Sequence, residues 1–309
     1  MADNFYQLFT EQFSTNLEML LQQETSLLRG TVVEKGGYRG KMVSPMNQIA
    51  AVSMKAPAGV FAPLLRTDPT FVRRWLTPQS RENAFLIDSY EELETIVDPK
   101  SEYVTSVAAA VGRSWDDVII GAALGAATIG TDAASLSTET FPGAPYLVAD
   151  TFGSSASSGL TVAKIIEMRR IFRHYHVDLD RDPVTLVIGS QQESDLLNQV
   201  QVVSTEFNDR PVLVDGRVTR FLGFNIRVSE RLTSSVVGAN TVRNCIAYAK
   251  SGVHLGFWKD MENRVSIRDD LSGQPYQLYT SVMYGATRTQ LGKVIQINCL
   301  DATGSDITP

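Results

Sequence analysis

Apolar residues at Phe5, Phe9, Phe13 and Leu17 fall four apart, and Leu20 and Leu21 continue the stripe. That spacing predicts an amphipathic helix at the N-terminus, whose apolar face must rest on the body of this chain or on another one. From Thr31 to Trp75 the helical period is lost. Pro45, Pro57, Pro63 and Pro69 interrupt the segment, and β-branched or small residues fill it. NQIAAVSMK and GVFAPLLRT read as extended, with turns at Gly36–Gly37 and around Pro57–Gly59. A two-stranded excursion of roughly forty residues is marginal by itself in water, so it reads as an arm that finds its partner elsewhere.

Helical patterning then returns. Ser89 with Glu92 forms a capping box before LETIV, and Asp98–Pro99 supplies a second start, cap then proline. The predicted helix runs over 99–128, a rod of roughly 45 Å at 1.5 Å per residue. Gly121 and Gly125 give it a GxxxG spacing, read as close helix packing in a soluble fold. Asp116 and Asp117 point about 100° apart and are read as a solvated face. The Gly/Ser-rich stretch 151–161 reads as a loop. It leads into a helix whose expected apolar face is Val162, Ile165, Ile166, Phe172 and Tyr175, with Lys164, Arg169, Arg170 and Arg173 on the remainder. VTLVIG (184–189) reads as a buried strand, Ser190-x-x-Glu193 as the opening of a further helix, and Asp215–Gly216 as a tight hairpin. The rest alternates or runs apolar as strands. The order of elements predicts an α+β or mixed fold rather than a βαβ array, and no internal repeat is visible.

Composition narrows the function classes. At 309 residues with 43% hydrophobic and 20% charged positions the chain is globular. A net charge of −6 argues against a dedicated nucleic-acid reader. Cys245 and Cys299 are the two cysteines, far apart in sequence and without a zinc pattern. The N-terminus lacks the basic start and apolar core of a signal peptide, and VIIGAALGAATIG is too short to cross a bilayer.

Candidate chemistry is sparse. GGYRGKMVSP (36–45) packs glycines with Arg39 and Lys41, but a P-loop would need glycine at Lys35 and a hydroxyl at Met42. The stretch is read as a turn between strands. His174 and His176 precede Asp178, Asp180 and Asp182, an alternation that would suit a metal on an extended strand. As a calcium loop it fails at Pro183 and Gly189, and it is read as a helix end with an acidic turn. No nucleophile elbow appears, and neither cysteine has a histidine nearby in sequence. Arg169, Arg170 and Arg173 could touch phosphate, or be solvated or paired with an acidic neighbour. No catalytic centre, cofactor site or metal site is assigned, and the chain reads as a structural or interaction protein.

The succession of arm helix, long β excursion, long helix, α/β core and β-rich close resembles the major capsid protein of tailed bacteriophages, the Hong Kong 97-type fold. LLQQETSLLRGTVVEKGGYRGKMVSPMNQIAAV and RTDPTFVRRWLTPQSRENAFLID look like one branch of these proteins. DPKSEYVTSVAAAVGRSWDDVIIGAALGAA resembles their spine helix. RFLGFNIRVSERL and IAYAKSGVHLGFWKDMENRVSIRDD resemble the return from A-domain to P-domain. The resemblance implies an N-terminal arm (1–30), an extended β-loop (31–80), a P-domain (81–150 and 246–309) and an A-domain (151–245). It implies hexamers and pentamers closing an icosahedral head in the host cytoplasm, around double-stranded DNA held without sequence specificity. Scaffolding, portal and decoration proteins are the implied partners, and no membrane is. Inter-subunit contact is expected at Phe5, Phe9, Phe13, Leu17, Arg39, Lys41, Arg73 and Arg74. Some relatives crosslink a loop lysine, but no spacing singles out Lys35, Lys41 or Lys55 for that role. The chain starts at the arm helix, so no fused scaffolding segment is expected. An encapsulin-type compartment shares the implied fold, and a metal enzyme built on His174–Asp182 is the catalytic alternative.

Overall fold

The computed structural model describes residues 22–56, 66, 68–87, 100–132, 134–199, 213–214, 217–237 and 240–301. Four strands come first, β1 (Val33–Lys35), β2 (Val43–Ile49), β3 (Phe71–Leu76) and β4 (Gln79–Ile87), before helix α1 (Lys100–Leu124). Short strands β5 (Ala127–Gly130), β6 (Ser137–Glu139) and β7 (Leu147–Val148) follow, then α2 (Val162–His174), β8 (Val184–Ile188) and α3 (Ser190–Leu197). The remainder is β9 (Leu213–Val214), β10 (Arg217–Val218), β11 (Arg220–Phe221), β12 (Phe224–Val228), β13 (Ser234–Val237) and β14 (Asn240–Ala249). The last three strands are β15 (Val253–Ile267), β16 (Tyr276–Arg288) and β17 (Val294–Leu300). This is a mixed α+β fold.

Contacts divide the chain into two compact units. The larger comprises Leu27–Gln79, Ser114–Asp260 and Met283–Pro309. Its centre is a seven-stranded sheet ordered β11-β12-β8-β14-β17-β7, with β13 paired to β14. Strand β8 is buried at all five positions, which is why VTLVI is a continuous apolar run instead of an alternation. It lies parallel to β12 and antiparallel to β14. The boundary expected between 245 and 246 falls inside β14, and β17 closes the same sheet as β8. The hydrogen-bonded ladder therefore joins segments that the sequence division had separated. The pairing of Val214 with Arg217 gives the hairpin expected around 215–216.

Helix α2 begins at Thr161, whose hydroxyl accepts from the Lys164 amide at 3.4 Å, and lays Val162, Ile165, Met168, Ile171 and Phe172 inward. Two positions depart from the sequence expectation: Ile166 is exposed and Lys164 is buried. Burial of the lysine is possible because its ammonium donates to the carbonyls of Ser158, Gly159 and Asn298 at 2.7, 2.8 and 3.2 Å. Desolvation nevertheless lowers its pKa. Helix α3 starts one residue earlier than the Ser190 box implied: Gly189 is the cap, and its amide donates to Gln192 Oε1 at 3.2 Å.

Helix α1 stops at Leu124, short of 128, because Ala127–Gly130 leaves as β5 and pairs with β3. A Cβ on Gly125 would sit 2.3 Å from the Gly121 carbonyl oxygen, whereas no described atom comes within 4 Å of one on Gly121. Among the described residues the GxxxG spacing serves the helix end, and no other element packs on Gly121. Buried Arg288 caps that end, donating to the carbonyls of Ala123 and Gly125 at 2.9 Å each.

The smaller unit comprises Met1–Ser26, Ser80–Arg113 and Met261–Val282. Tyr279 there donates to Glu82 at 2.8 Å, and Thr280 to Asn263 at 2.8 Å.

Candidate functional site

The segment ahead of the β excursion is tied to α1 by a carboxylate. Asp116 is fully buried, and its two oxygens accept the amides of Leu27 and Leu28 at 3.0 and 3.1 Å. The Arg29 guanidinium lies 4.2 Å from the Trp115 ring centroid, and Leu28 and Val32 are buried. The solvated reading of the aspartate pair therefore holds for Asp117 alone, which is exposed and paired with Arg231. Its neighbour is consumed by two backbone donors that would otherwise be buried unpaired.

GGYRGK is a clamped turn, and Tyr38 is its wedge. Gly37 and Gly40 have φ of 79° and 97°, the left-handed region open to glycine. The Tyr38 ring packs 5.4 Å from Trp258 and 6.1 Å from His254, both on β15. Its hydroxyl meets His254 Nε2 at 2.9 Å, and its amide donates to the Phe257 carbonyl. Trp258 Nε1 in turn donates to the Gly40 carbonyl at 2.8 Å. Gly256 lies between these contacts, where a Cβ would come within 2.4 Å of Leu76 and 2.7 Å of Tyr38. An isolated glycine inside GVHLGFW is the sequence signal for such a close approach. Burial, and secondarily the charge of Lys35, lowers the His254 pKa to about 4.

Beyond this turn β2 and β3 run antiparallel, with Ile49 opposite Phe71. Both are exposed, by 61% and 52%, and Val52 and Met54 continue the apolar surface. Strand β3 also pairs with β5 and β5 with β6, so the hairpin is rooted in a four-stranded sheet. Arg39 and Lys41 are exposed, as is Arg73, 4.0 Å from Asp132. Arg74 is different. It is buried and paired with Glu139, which also lies 3.9 Å from Arg288. Its charge is spent inside the subunit, which removes it from the contact residues offered to a neighbour. Phe5, Phe9, Phe13 and Leu17 lie outside the described residues, as do the Ser89 box and Asp98–Pro99.

The His174–Asp182 cluster divides instead of converging. Asp182 holds the Ser251 amide at 3.0 Å and its hydroxyl, and Asp178 accepts the Asp180 amide at 3.1 Å. Among the described residues no group of three potential ligands could hold a metal ion. Arg170 pairs with Glu167 at 2.5 Å. Cys245 and Cys299, distant in sequence, are both buried on adjacent strands, where the hydrogen bond to Cys299 and burial push the Cys245 thiol up. Among the described residues no helix is long and apolar enough to cross a membrane.

A family model described as phage capsid protein matches residues 6–301. The chain belongs to that family. Solved capsids share the fold of this phage capsid protein at low identity. That of cyanophage P-SCSP1u matches with a TM-score of 0.72 and 12% identity, covering 98% of this chain and 96% of that one. The cyanophage Pam1 capsid also gives 0.72, at 13% identity and coverage of 99% and 100%. Mycobacterium phage Che8 gives 0.67, at 13% identity and coverage of 96% and 98%. No curated protein sequence matches the chain. The family is a structural one, and the capsid protein is a component of the phage shell assembled from copies of itself.

Proposed function

We propose that this phage capsid protein forms hexamers and pentamers that close an icosahedral head of the Hong Kong 97 type around double-stranded DNA. The observation that carries the reading is the β2–β3 pair: two antiparallel strands rooted in a four-stranded sheet, with apolar side chains left exposed at and just beyond their ends. A monomer gains nothing from holding Ile49, Val52, Met54 and Phe71 in water, whereas a shell subunit can bury them against its neighbours.

On this reading residues 1–30 are the N-terminal arm, 31–80 the extended loop and α1 the spine. The A-domain is built on the seven-stranded sheet and so takes in β14 and β17, while β4, β15 and β16 belong with the P-domain. Phe5, Phe9, Phe13 and Leu17 on the arm, with Arg39, Lys41 and Arg73 near the loop, contact neighbouring subunits. Scaffolding and portal proteins, and decoration proteins where a phage uses them, act on this shell, which assembles in the host cytoplasm. The acidic balance of the chain suits a container that must release its DNA, since many phosphate contacts would hold it too tightly.

Electron microscopy of the concentrated, purified chain tests the proposal. Closed shells with fivefold and sixfold clusters are expected, and a chain that stays monomeric at every concentration and salt condition would overturn it.

A further inference from the structure

The seven-stranded sheet carries a polar feature on the face turned away from α2. Arg220, Asn225, Thr185 and Tyr248 stand in one register row across β11, β12, β8 and β14. Paired residues share a face of the sheet, and Arg227, two beyond Asn225, shares it with them. Phe224 points the other way, its ring 6.1 Å from Phe172 of α2. The polar face borders a cavity of about 470 Å³, which Arg220, Arg227 and Lys250 line together with Asn225 and the threonines. Lys250 is set there by its amide, which donates to the Pro183 carbonyl at 3.0 Å beside the start of β8. The Thr31 hydroxyl closes one side, held by the Leu28 carbonyl and the Tyr248 hydroxyl at 2.6 Å each.

The charge pattern of this cavity is one-sided. Among the described residues, three that line it are cations and none is a carboxylate. Among the described residues none of the three cations makes an ion pair, whereas Arg231 and Arg243 do. In a chain with a net charge of −6, carboxylates are in surplus, so an uncompensated basic cavity runs against the composition. Three cations lining one cavity create a local positive potential that an anion relieves. Two arginines favour phosphate in particular, because the guanidinium fork donates two parallel hydrogen bonds to its oxygens. The cavity is also roomier than a bare phosphate requires, which suits a phosphate carried on a sugar.

We propose that this cavity is a phosphate-ester site, filled by a free nucleotide or by the backbone of a polynucleotide. The proposal does not depend on how the shell is organised, and it concerns the isolated subunit as well as the assembled one.

The test titrates the full-length chain with adenosine monophosphate and, separately, with a short DNA duplex, at low salt and over a salt series. The variants are R220Q/R227Q, K250Q and, as a charge control outside the cavity, R173Q on α2, each checked for an unchanged melting temperature. Binding that weakens at least tenfold in R220Q/R227Q, and measurably in K250Q, while R173Q matches the native chain, supports the site. For the duplex, the salt slope should also fall by about 1–2 in the double variant. Loss with the mononucleotide alone names a free nucleotide as the ligand, and loss with the duplex alone names the polynucleotide backbone. Absence of binding by either probe, or equal weakening in R173Q and the cavity variants, overturns the proposal.

Discussion

The Tyr38 hydroxyl and His254 Nε2 lie 2.9 Å apart, joining the turn between β1 and β2 to β15. The histidine is held neutral there by burial and by the positive charge of Lys35, with a pKa of about 4 against 6.5 for an ordinary histidine. As pH falls, the unfolded chain therefore takes up this proton before the folded one. The contribution is complete above about pH 6.5 and declines as pH drops toward 4, by at most about 3 kcal/mol. Denaturant unfolding at a series of pH values should show this decline. The variant H254Q should flatten the curve in that window, and an unchanged slope would show that the histidine is not the group responsible.

Two glycines on neighbouring strands predict different costs for the same methyl group. A Cβ on Gly256 meets side-chain atoms of Leu76 and Tyr38 at 2.4–2.9 Å, whereas one on Gly285 meets the Thr77 carbonyl oxygen at 2.3 Å. Side chains can rotate away and a strand backbone cannot do so cheaply. G256A should cost about 1–3 kcal/mol, and G285A should cost more. Thermal unfolding of the two variants checks the order, and the reverse order would contradict it.

Asp116 and Asp117 are adjacent and chemically identical, yet their roles diverge. Replacing Asp116 with alanine strands the buried amide of Leu28 and the half-buried amide of Leu27 and should cost about 1–3 kcal/mol for the buried donor and less for the other. Replacing Asp117 removes an exposed pair with Arg231 and should cost less than about 1 kcal/mol. Equal effects from the two substitutions would mean that the carboxylate of Asp116 is not the anchor described above.

How much of this was legible in the sequence follows from whether the deciding contacts are local. The run VTLVI announced a strand covered on both faces, and the lost helical period after Thr31 announced the strands β2 and β3, because both signals lie within a few residues. Lys164 looked like surface because nothing local reveals that the carbonyl of Asn298, 134 positions away, would accept its hydrogen bond. Asp116 was misread for the same reason, its partners lying 88 and 89 positions upstream. Arg74 had the composition of a surface contact, but its partner Glu139 arrives only when β3, β5 and β6 assemble. The cationic cavity needs four strands in register, which no single window of sequence contains. Gly256 was passed over, although a glycine inside an apolar strand is a local sign that something approaches closely.

The exposed pair Ile49 and Phe71 gives the sharpest separation between folding and assembly. They are directly opposite on β2 and β3, and each keeps more than half of its surface in water within the subunit. Their replacement by serine should therefore change subunit stability by no more than about 0.5 kcal/mol per site. In the shell each side chain would be worth roughly 1.5–3 kcal/mol if it is fully covered by a neighbour. The double variant I49S/F71S should then melt with the native subunit yet need at least tenfold more protein to form shells, or form none. Light scattering against concentration measures the assembly threshold, and calorimetry measures the fold. A variant that melts early would place these residues in the subunit's own core. One that melts and assembles normally would show that Ile49 and Phe71 are not the contact that closes the shell.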